Sequence, residues 1–201
     1  MIKSIISDLG NVVIFFDNFI FFRKISEYSP LSDKEIFERL LAHTEVSRAF
    51  DEGKLTPEEF YTQAIAILKA GIDQETFYSL YNDVFDLNPY VLETLKSLRA
   101  NYRLVLCSNT DESRFGYIKK KFPEIFIFDR YVVSFEVGVL KPHQRIYEAA
   151  LKEAGSEAEE SVFIDDREEN IASAERLGFN TILFGRETDL KREFHRIGVQ
   201  I

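Results

Sequence analysis

The stretch Ile5-Ile6-Ser7-Asp8-Leu9-Gly10-Asn11 sets the pattern on which the fold of this chain is built: a short apolar run that ends in a carboxylate and a turn. Three further apolar runs also end in reactive polar residues. They are Leu104 to Cys107 before Ser108-Asn109, Phe135 to Leu140 before Lys141, and Val162 to Ile164 before Asp165-Asp166. In an open α/β sheet the carboxyl ends of the strands form one crevice, where ligands bind. Three carboxylates, a hydroxyl, an amide and an ammonium would meet there, a set that suits a divalent cation and a phosphate group.

Predicted helices and strands alternate from Asn88-Pro89 onward. After a first strand over 2–7, the predicted helices are 90–100, 112–121, 143–154 and 168–177, and the predicted strands are 103–108, 131–134, 161–165 and 180–184. Alternation of this kind indicates βαβ units and a parallel sheet with right-handed crossovers. The predicted fold class is therefore α/β, a doubly wound Rossmann-like parallel sheet.

Residues from about 17 to 86 have a different character, with helical periodicity and clear helix starts. The stretch Thr56-Pro57-Glu58-Glu59 supplies an N-cap, a proline at the first helical position and a glutamate that completes a capping box. We expect Gly71 to end that helix, Asp73 to cap the next and Ser32 to open another. An all-helical bundle is thus predicted as an insertion after the first strand.

Bulk composition narrows the classes of partner. The 201 residues carry a net charge of −9, which argues against nucleic acid because non-specific affinity for its backbone comes from clustered Lys and Arg. No apolar stretch is long enough to span a bilayer, and no N-terminal targeting signal is seen. A cytoplasmic protein is expected, and its single cysteine, Cys107, is expected to be a buried structural thiol.

The apolar runs and their polar ends, in this order, resemble the four motifs of the haloacid dehalogenase superfamily. The matching residues are Asp8-Leu9-Gly10-Asn11, Ser108-Asn109-Thr110, Gly138 to Pro142 with Ile146-Tyr147, and Asp165-Asp166 with Asn170. The resemblance spans almost the whole chain and is closest to bacterial sugar-phosphate phosphatases with a helical cap, such as α-D-glucose-1-phosphate phosphatase. It implies a Rossmann-like core of residues 1–15 and 87–201, and a cap of residues 16–86 that closes over the substrate.

The resemblance also implies a magnesium-dependent phosphatase acting on a small phosphorylated metabolite, most readily a sugar phosphate. Asp8 would be the nucleophile and would form an aspartyl-phosphate. Mg²⁺ would bind the Asp8 carboxylate, the Gly10 carbonyl and a carboxylate of the Asp165-Asp166 pair. We expect Asp166 to be the direct ligand and Asp165 to stand behind it, tied to Lys141 or to a water.

Three further residues would complete the site. Ser108 and the backbone N–H of Asn109 would hold phosphoryl oxygens at a helix N-terminus. Lys141 would place a compact positive charge against the developing charge and the Asp165 carboxylate. Each motif taken singly also has a structural explanation: a turn residue for Asp8, helix caps for the Ser-Asn and Asp-Asp pairs, and a solvated surface residue for Lys141.

Gly10 departs from the pattern of family phosphatases, which usually carry a second Asp at this position to protonate the leaving oxygen. Glycine still offers a backbone carbonyl, but it cannot transfer a proton. General acid–base help of this kind is worth about 10²–10⁴ in rate. Anomeric or acyl phosphates are the preferred substrates for a site without it, because their leaving groups need the least protonation.

Two other functions are compatible with these residues. A haloacid dehalogenase uses a similar Asp, Ser-Asn turn and Lys without a metal, but the adjacent pair Asp165-Asp166 favours the metal-dependent phosphatase. A catalytically weak domain could instead bind a phosphorylated ligand or a protein. The cluster of Phe residues between 15 and 22 could form an interaction face, but packing between cap and core with a closing lid is the favoured explanation of that cluster. Arg23, Glu45 and Arg48 are candidate substrate contacts or solvated surface charges. The chain is expected to be a monomer or homodimer.

Overall fold

The computed structural model describes all residues from 1 to 201. Seven strands are present: β1 (Ser4–Ser7), β2 (Ile14–Phe16), β3 (Phe85–Leu87), β4 (Arg103–Ser108), β5 (Arg130–Val133), β6 (Ser161–Asp165) and β7 (Asn180–Leu183). Eleven α-helices accompany them: α1 (Asn18–Ser26), α2 (Asp33–Ala42), α3 (Thr44–Asp51), α4 (Pro57–Leu68), α5 (Gln74–Asn82), α6 (Pro89–Leu98), α7 (Glu112–Lys121), α8 (Ser134–Val137), α9 (Gln144–Ala154), α10 (Glu168–Arg176) and α11 (Leu190–Ile197). None of the helices is long and apolar enough to cross a membrane.

Five strands form a parallel sheet in the order β5-β4-β1-β6-β7. Successive side chains of a strand point to opposite faces, and both faces of this sheet are covered. On β1, for example, Ile5 belongs to a core of 37 buried residues on one face and Ile6 to a core of 13 on the other. The residues of α6, α7 and α11 join the larger core, and those of α9 and α10 join the smaller one. The predicted doubly wound α/β fold is confirmed.

A helical segment, α1 to α5, lies between two short strands that pair with each other. β2 and β3 are antiparallel, with Ile14 opposite Leu87, so the chain leaves and re-enters the sheet side by side. The predicted capping box at Thr56 begins α4, and Ser32, predicted to open a helix, begins α2 with a second capping box. Phe77 lies at the centre of this segment, in ring contact with five other aromatic side chains. The division of the chain into a core and a cap domain remains a prediction.

Two local expectations are wrong. The helix α4 ends at Leu68, and Lys69, not Gly71, takes the left-handed conformation after it, with φ of 52°. The apolar run before Lys141 is not a strand, because residues 134–137 form α8 and Gly138 ends it with φ of 80°. Lys141 therefore reaches the sheet from the loop that follows α8. The sequence pattern did not reveal this short helix.

Candidate active site

The three central strands of the sheet bring the predicted site residues together. Asp8 follows β1, Ser108 is the last residue of β4, and Asp165 is the last residue of β6. Since β1 lies between β4 and β6, these ends are adjacent, and all point to the same edge of the sheet. Lys141 enters this edge from the loop after α8.

The Lys141 ammonium is the centre of the site. Its Nζ lies 2.8 Å from Asp8 Oδ1 and 2.6 Å from Asp165 Oδ2, and it donates to the Cys107 carbonyl at 2.9 Å. These three partners satisfy all three donors of the ammonium, whose residue is only 4% exposed. Burial opposes the charge, yet the two carboxylates raise the pKa of Lys141 above its ordinary value. The structure thus rules out a solvated surface role for this lysine.

Asp8 occupies the same buried environment. Its Oδ1 accepts hydrogen bonds from the Leu9 N–H at 2.7 Å and from Lys141, whereas Oδ2 accepts none from the chain. Burial raises the pKa of Asp8 to about 6, against the lowering effect of Lys141. One carboxylate oxygen is therefore fixed and the other is free to act. Burial likewise raises the pKa of the neighbouring Cys107 thiol to about 12, which agrees with an inert structural cysteine.

Asp165 is held on both oxygens. Oδ2 accepts from Lys141, and Oδ1 accepts from the Arg167 N–H at 3.0 Å and from Asn170 Nδ2 at 2.9 Å. Its side chain is fully buried. A carboxylate with these partners anchors the lysine and has little capacity left for another ligand.

Asp166 is the more open member of the pair. Its Oδ2 accepts one hydrogen bond, from Asn11 Nδ2 at 3.0 Å, and Asn11 itself takes the left-handed conformation with φ of 54°. Oxygen atoms from Asp8, Asp165 and Asp166 all lie within 4.8 Å of one another. Three hard carboxylate donors in so small a space match the ligands that Mg²⁺ prefers. Free oxygens on Asp8 and Asp166 make these two the donors that fit the ion best.

Asn109 has a task that its sequence motif did not reveal. Its side-chain Oδ1 accepts from the Lys141 N–H at 2.7 Å, and its Nδ2 donates to the Lys141 carbonyl at 3.0 Å. The amide therefore clamps the backbone of Lys141 on both sides. Ser108 is buried, and the one hydrogen bond of its hydroxyl, to the Asn109 carbonyl, is long at 3.5 Å. The Ser108 hydroxyl is thus weakly engaged within the chain.

Two adjoining cavities open at this edge. The first cavity, about 320 Å³, is lined by Asp8, Gly10, Asn11, Phe16, Asn109, Lys141, Asp166, Arg167 and Asn170. The second cavity, about 280 Å³, shares Gly10, Phe16, Asn109 and Arg167 with it and extends to Ser108, Thr110, Asn18, Asp51 and Arg114. A Cβ built on Gly10 would lie 3.0 Å from the Phe16 ring, so this ring fills the space beside the glycine.

Sequence reasoning missed three residues that line the second cavity, namely Asn18, Asp51 and Arg114. They line both the second cavity and an apolar cavity of about 290 Å³ inside the helical segment. The suggested contacts Arg23, Glu45 and Arg48 line none of these three cavities, and Arg48 instead pairs with Glu52. No motif marks the missed residues, because they come from α1, α3 and α7 and meet only in the folded chain.

Comparison with known proteins agrees with this geometry. The chain is 25% identical over 205 residues to the D-ribitol-5-phosphate phosphatase of Bacteroides thetaiotaomicron, covering 96% of this chain and 97% of that protein. It is 26% identical to the drimenol cyclase drtB of Aspergillus calidoustus, covering 98% of this chain but only 37% of that protein's length.

A solved structure is similar over almost the full length. It is a HAD family enzyme of Bacteroides thetaiotaomicron in complex with magnesium and inorganic phosphate, with a TM-score of 0.86 at 25% identity, covering 96% of this chain and 100% of that one. A sequence model of haloacid dehalogenase-like hydrolases matches residues 2–178. With the ordered polar strand ends and the parallel sheet that unites them, this match shows that the chain belongs to the haloacid dehalogenase-like hydrolases.

Proposed function

We propose that this chain is a magnesium-dependent phosphatase that hydrolyses a small phosphorylated metabolite through an aspartyl-phosphate on Asp8. The observation that carries the proposal is the pairing of Lys141 with Asp8 and Asp165, which form a cluster of three carboxylates with Asp166. A buried ammonium shared by two acids places positive charge where a phosphoryl group would meet the nucleophile. The similar HAD family enzyme solved with magnesium and inorganic phosphate supports the same assignment.

The residues present fit a magnesium ion. Asp8, Asp166 and the Gly10 carbonyl would hold it, and Asp165 would stand behind, because Lys141, Arg167 and Asn170 already occupy its oxygens. Bound there, the ion offsets the repulsion between anionic nucleophile and anionic substrate and spreads the charge of the transition state.

The chain's own side chains supply the rest of the reaction. The free oxygen of Asp8 attacks phosphorus, a P–O bond to Asp8 forms and the bond to the leaving group breaks. Lys141 orients Asp8 through Oδ1 and is itself held by the Asn109 clamp. The Ser108 hydroxyl and the Asn109 backbone N–H donate hydrogen bonds to the phosphoryl oxygens. Water then hydrolyses the aspartyl-phosphate.

Sugar phosphates are the proposed substrates, with anomeric and acyl phosphates favoured by the glycine at position 10. The relative that covers nearly the whole chain is named for ribitol 5-phosphate, so glucose 1-phosphate is one candidate among several sugar and polyol phosphates. A substrate panel should include both compounds, together with acetyl phosphate.

The test is phosphate release from this panel with magnesium, with EDTA and with Asp8→Asn. We expect release by the wild type with magnesium only, and a loss of at least about 10³-fold in Asp8→Asn, because the nucleophile is removed. Asp86→Asn serves as matched control, since Asp86 is exposed on β3 and lines none of the three cavities. Release that survives both EDTA and Asp8→Asn would contradict the proposal.

Chloroacetate distinguishes the dehalogenase alternative in the same assay. Metal-independent chloride release that requires Asp8 would establish that alternative. A third result, no turnover of any compound together with tight binding of a phosphorylated ligand, would instead identify a binding protein.

A further inference from the structure

The proposed phosphatase has no proton donor for the leaving group at position 10, beside the nucleophile. Position 10 carries no side chain, and the Phe16 ring fills the adjacent space, 3.0 Å from where a Cβ would lie. Lys141 is also unsuited to this task, since its three donors are engaged and its pKa is raised. Alkyl phosphates require a donor because an unprotonated alkoxide leaves poorly.

The second cavity contains one acid. Of its 14 lining residues, Asp51 is the only one with a carboxyl group. Asp51 is the last residue of α3, in the helical segment, yet it lines the same space as Gly10, Ser108 and Asn109. This is the space into which the leaving group of a phosphoryl substrate would extend.

A chain of hydrogen bonds fixes Asp51 relative to the strand ends. The Ser134 hydroxyl donates to the Asp51 carbonyl at 2.7 Å and accepts from the Thr110 N–H at 2.9 Å. Thr110 directly follows the Ser108-Asn109 pair. One buried hydroxyl therefore ties the end of α3 to the loop that would hold the phosphoryl group.

The carboxyl of Asp51 is free of partners within the chain. Neither oxygen accepts a hydrogen bond or forms an ion pair, although the residue is half-buried. Its surroundings favour the protonated form. Burial raises the pKa of Asp51 to about 7, and Asp111, which caps α7, and the adjacent Glu52 raise it too, whereas Arg114 on α7 lowers it. The Tyr81 hydroxyl of α5 also faces this group of acids, but it donates to Asp111.

We propose that Asp51 is the general acid that protonates the leaving oxygen, a catalytic residue supplied by the helical segment in place of the one absent at position 10. This inference rests on the proposed phosphatase function. As Asp8 attacks and the P–O bond to the leaving group breaks, the Asp51 carboxyl gives its proton to the departing oxygen. An alcohol leaves, and the resulting carboxylate regains a proton from water in the cavity.

The experiment compares leaving groups in Asp51→Asn. The measured quantity is kcat/KM, which covers the steps up to departure of the leaving group and excludes later hydrolysis of the aspartyl-phosphate. For glycerol 2-phosphate, an alkyl ester, kcat/KM should fall about 10²–10⁴-fold. For acetyl phosphate, whose leaving group needs no proton, it should stay within about threefold of the wild type.

Two further variants secure the interpretation. Asp51→Glu should recover part of the activity on glycerol 2-phosphate. Glu52→Gln, which removes a neighbouring carboxylate paired with Arg48 and Lys54, should keep the ratio between the two substrates. The wild-type profile of kcat/KM on the alkyl ester should fall above about pH 7 as Asp51 loses its proton, and Asp51→Asn should lack this fall.

The outcomes separate this inference from the proposed function. Equal losses on both substrates, or no loss on either, would overturn the role of Asp51 while Asp8-dependent release of phosphate stands. A wild type that hydrolyses neither these two compounds nor any sugar phosphate of the panel would overturn both proposals. Circular dichroism and the melting temperature of each variant establish that the comparison is made on folded protein.

Discussion

At the scale of single residues, Gly10 and Phe16 occupy the place where an acid beside the nucleophile would stand. Gly10→Asp would introduce an acid beside the nucleophile, and we expect it to raise turnover of alkyl phosphates. Because the Phe16 ring lies 3.0 Å from the new Cβ, the gain should be larger in the double variant with Phe16→Ala. The same Gly10→Asp change should also restore alkyl phosphatase activity to Asp51→Asn. Unchanged rates in both backgrounds, with metal binding intact, would contradict this explanation.

Asp51 also has a consequence for stability that does not depend on activity. Its folded-state pKa, about 7, lies above the ordinary value of 3.8, so the folded protein disfavours the charged form. The resulting loss of stability develops as pH rises from about 4 to 7. Asp51→Asn should therefore melt at a higher temperature than the wild type at pH 8, and the difference should vanish near pH 4. A difference that is the same at both pH values would refute the assignment. Asp86→Asn, at an exposed position, is the control.

The polar residues of the candidate site could be identified from the sequence, but the contacts that each of them makes could not. Sequence placed Asp8, Lys141 and Asp165 at one edge on the rule that the ends of parallel strands meet there, although Lys141 reaches that edge from a loop. It assigned Asn109 to the substrate through its backbone and did not reveal that the side chain clamps Lys141. Hydrogen bonds between residues 32 positions apart depend on the loop conformation after α8, which no local pattern specifies.

At the scale of helices and strands, local chemistry predicted most boundaries well. β4, β6 and α7 begin and end where expected, and Thr56 and Asp73 cap their helices as proposed. The helices α1, α3, α8 and α11 were not predicted, and α8 has only four residues. A helix that short has no room for the periodicity on which such predictions depend.

The side chain of Phe77 on α5 packs at the centre of the helical segment, and we expect it to stabilise that segment. It is fully buried, stacks on Tyr81 with ring centroids 5.7 Å apart and touches four further aromatic rings. Phe77→Ala should lower the free energy of unfolding by about 3–5 kcal/mol, the cost of a large core cavity. Urea denaturation measures this loss. Phe19→Ala, on an exposed ring of α1, should cost much less, and similar costs would contradict the prediction.

At the scale of the whole molecule, the topology followed from the order of elements, whereas the cavities did not. Alternating helices and strands require a parallel sheet, and polar residues at its edge require a crevice. The position of the inserted helices over that crevice depends on the 37-residue core, which includes residues of both the helical segment and the sheet. Contacts such as Asp51 with Ser134, 83 positions apart, arise only from that packing.

Magnesium should stabilise the whole fold, because the proposed ligands follow two different strands, β1 and β6. A ligand that binds only the folded state at 100 times its Kd adds about 2.7 kcal/mol. We expect the melting temperature to rise with magnesium concentration, to return to its starting value with EDTA and to respond little in Asp166→Asn. Asp86→Asn should respond like the wild type. A melting temperature insensitive to magnesium in the wild type would contradict the proposed metal site.

The Phe16 ring offers a practical route to observing the crevice directly. The chain contains no tryptophan, and Phe16 is 38% exposed at the boundary shared by the two cavities. Phe16→Trp would give the protein a single indole, whose emission would report the polarity of one known place. Titrations with phosphate or vanadate would then become fluorescence measurements, and stopped-flow mixing would follow occupancy of the crevice in real time.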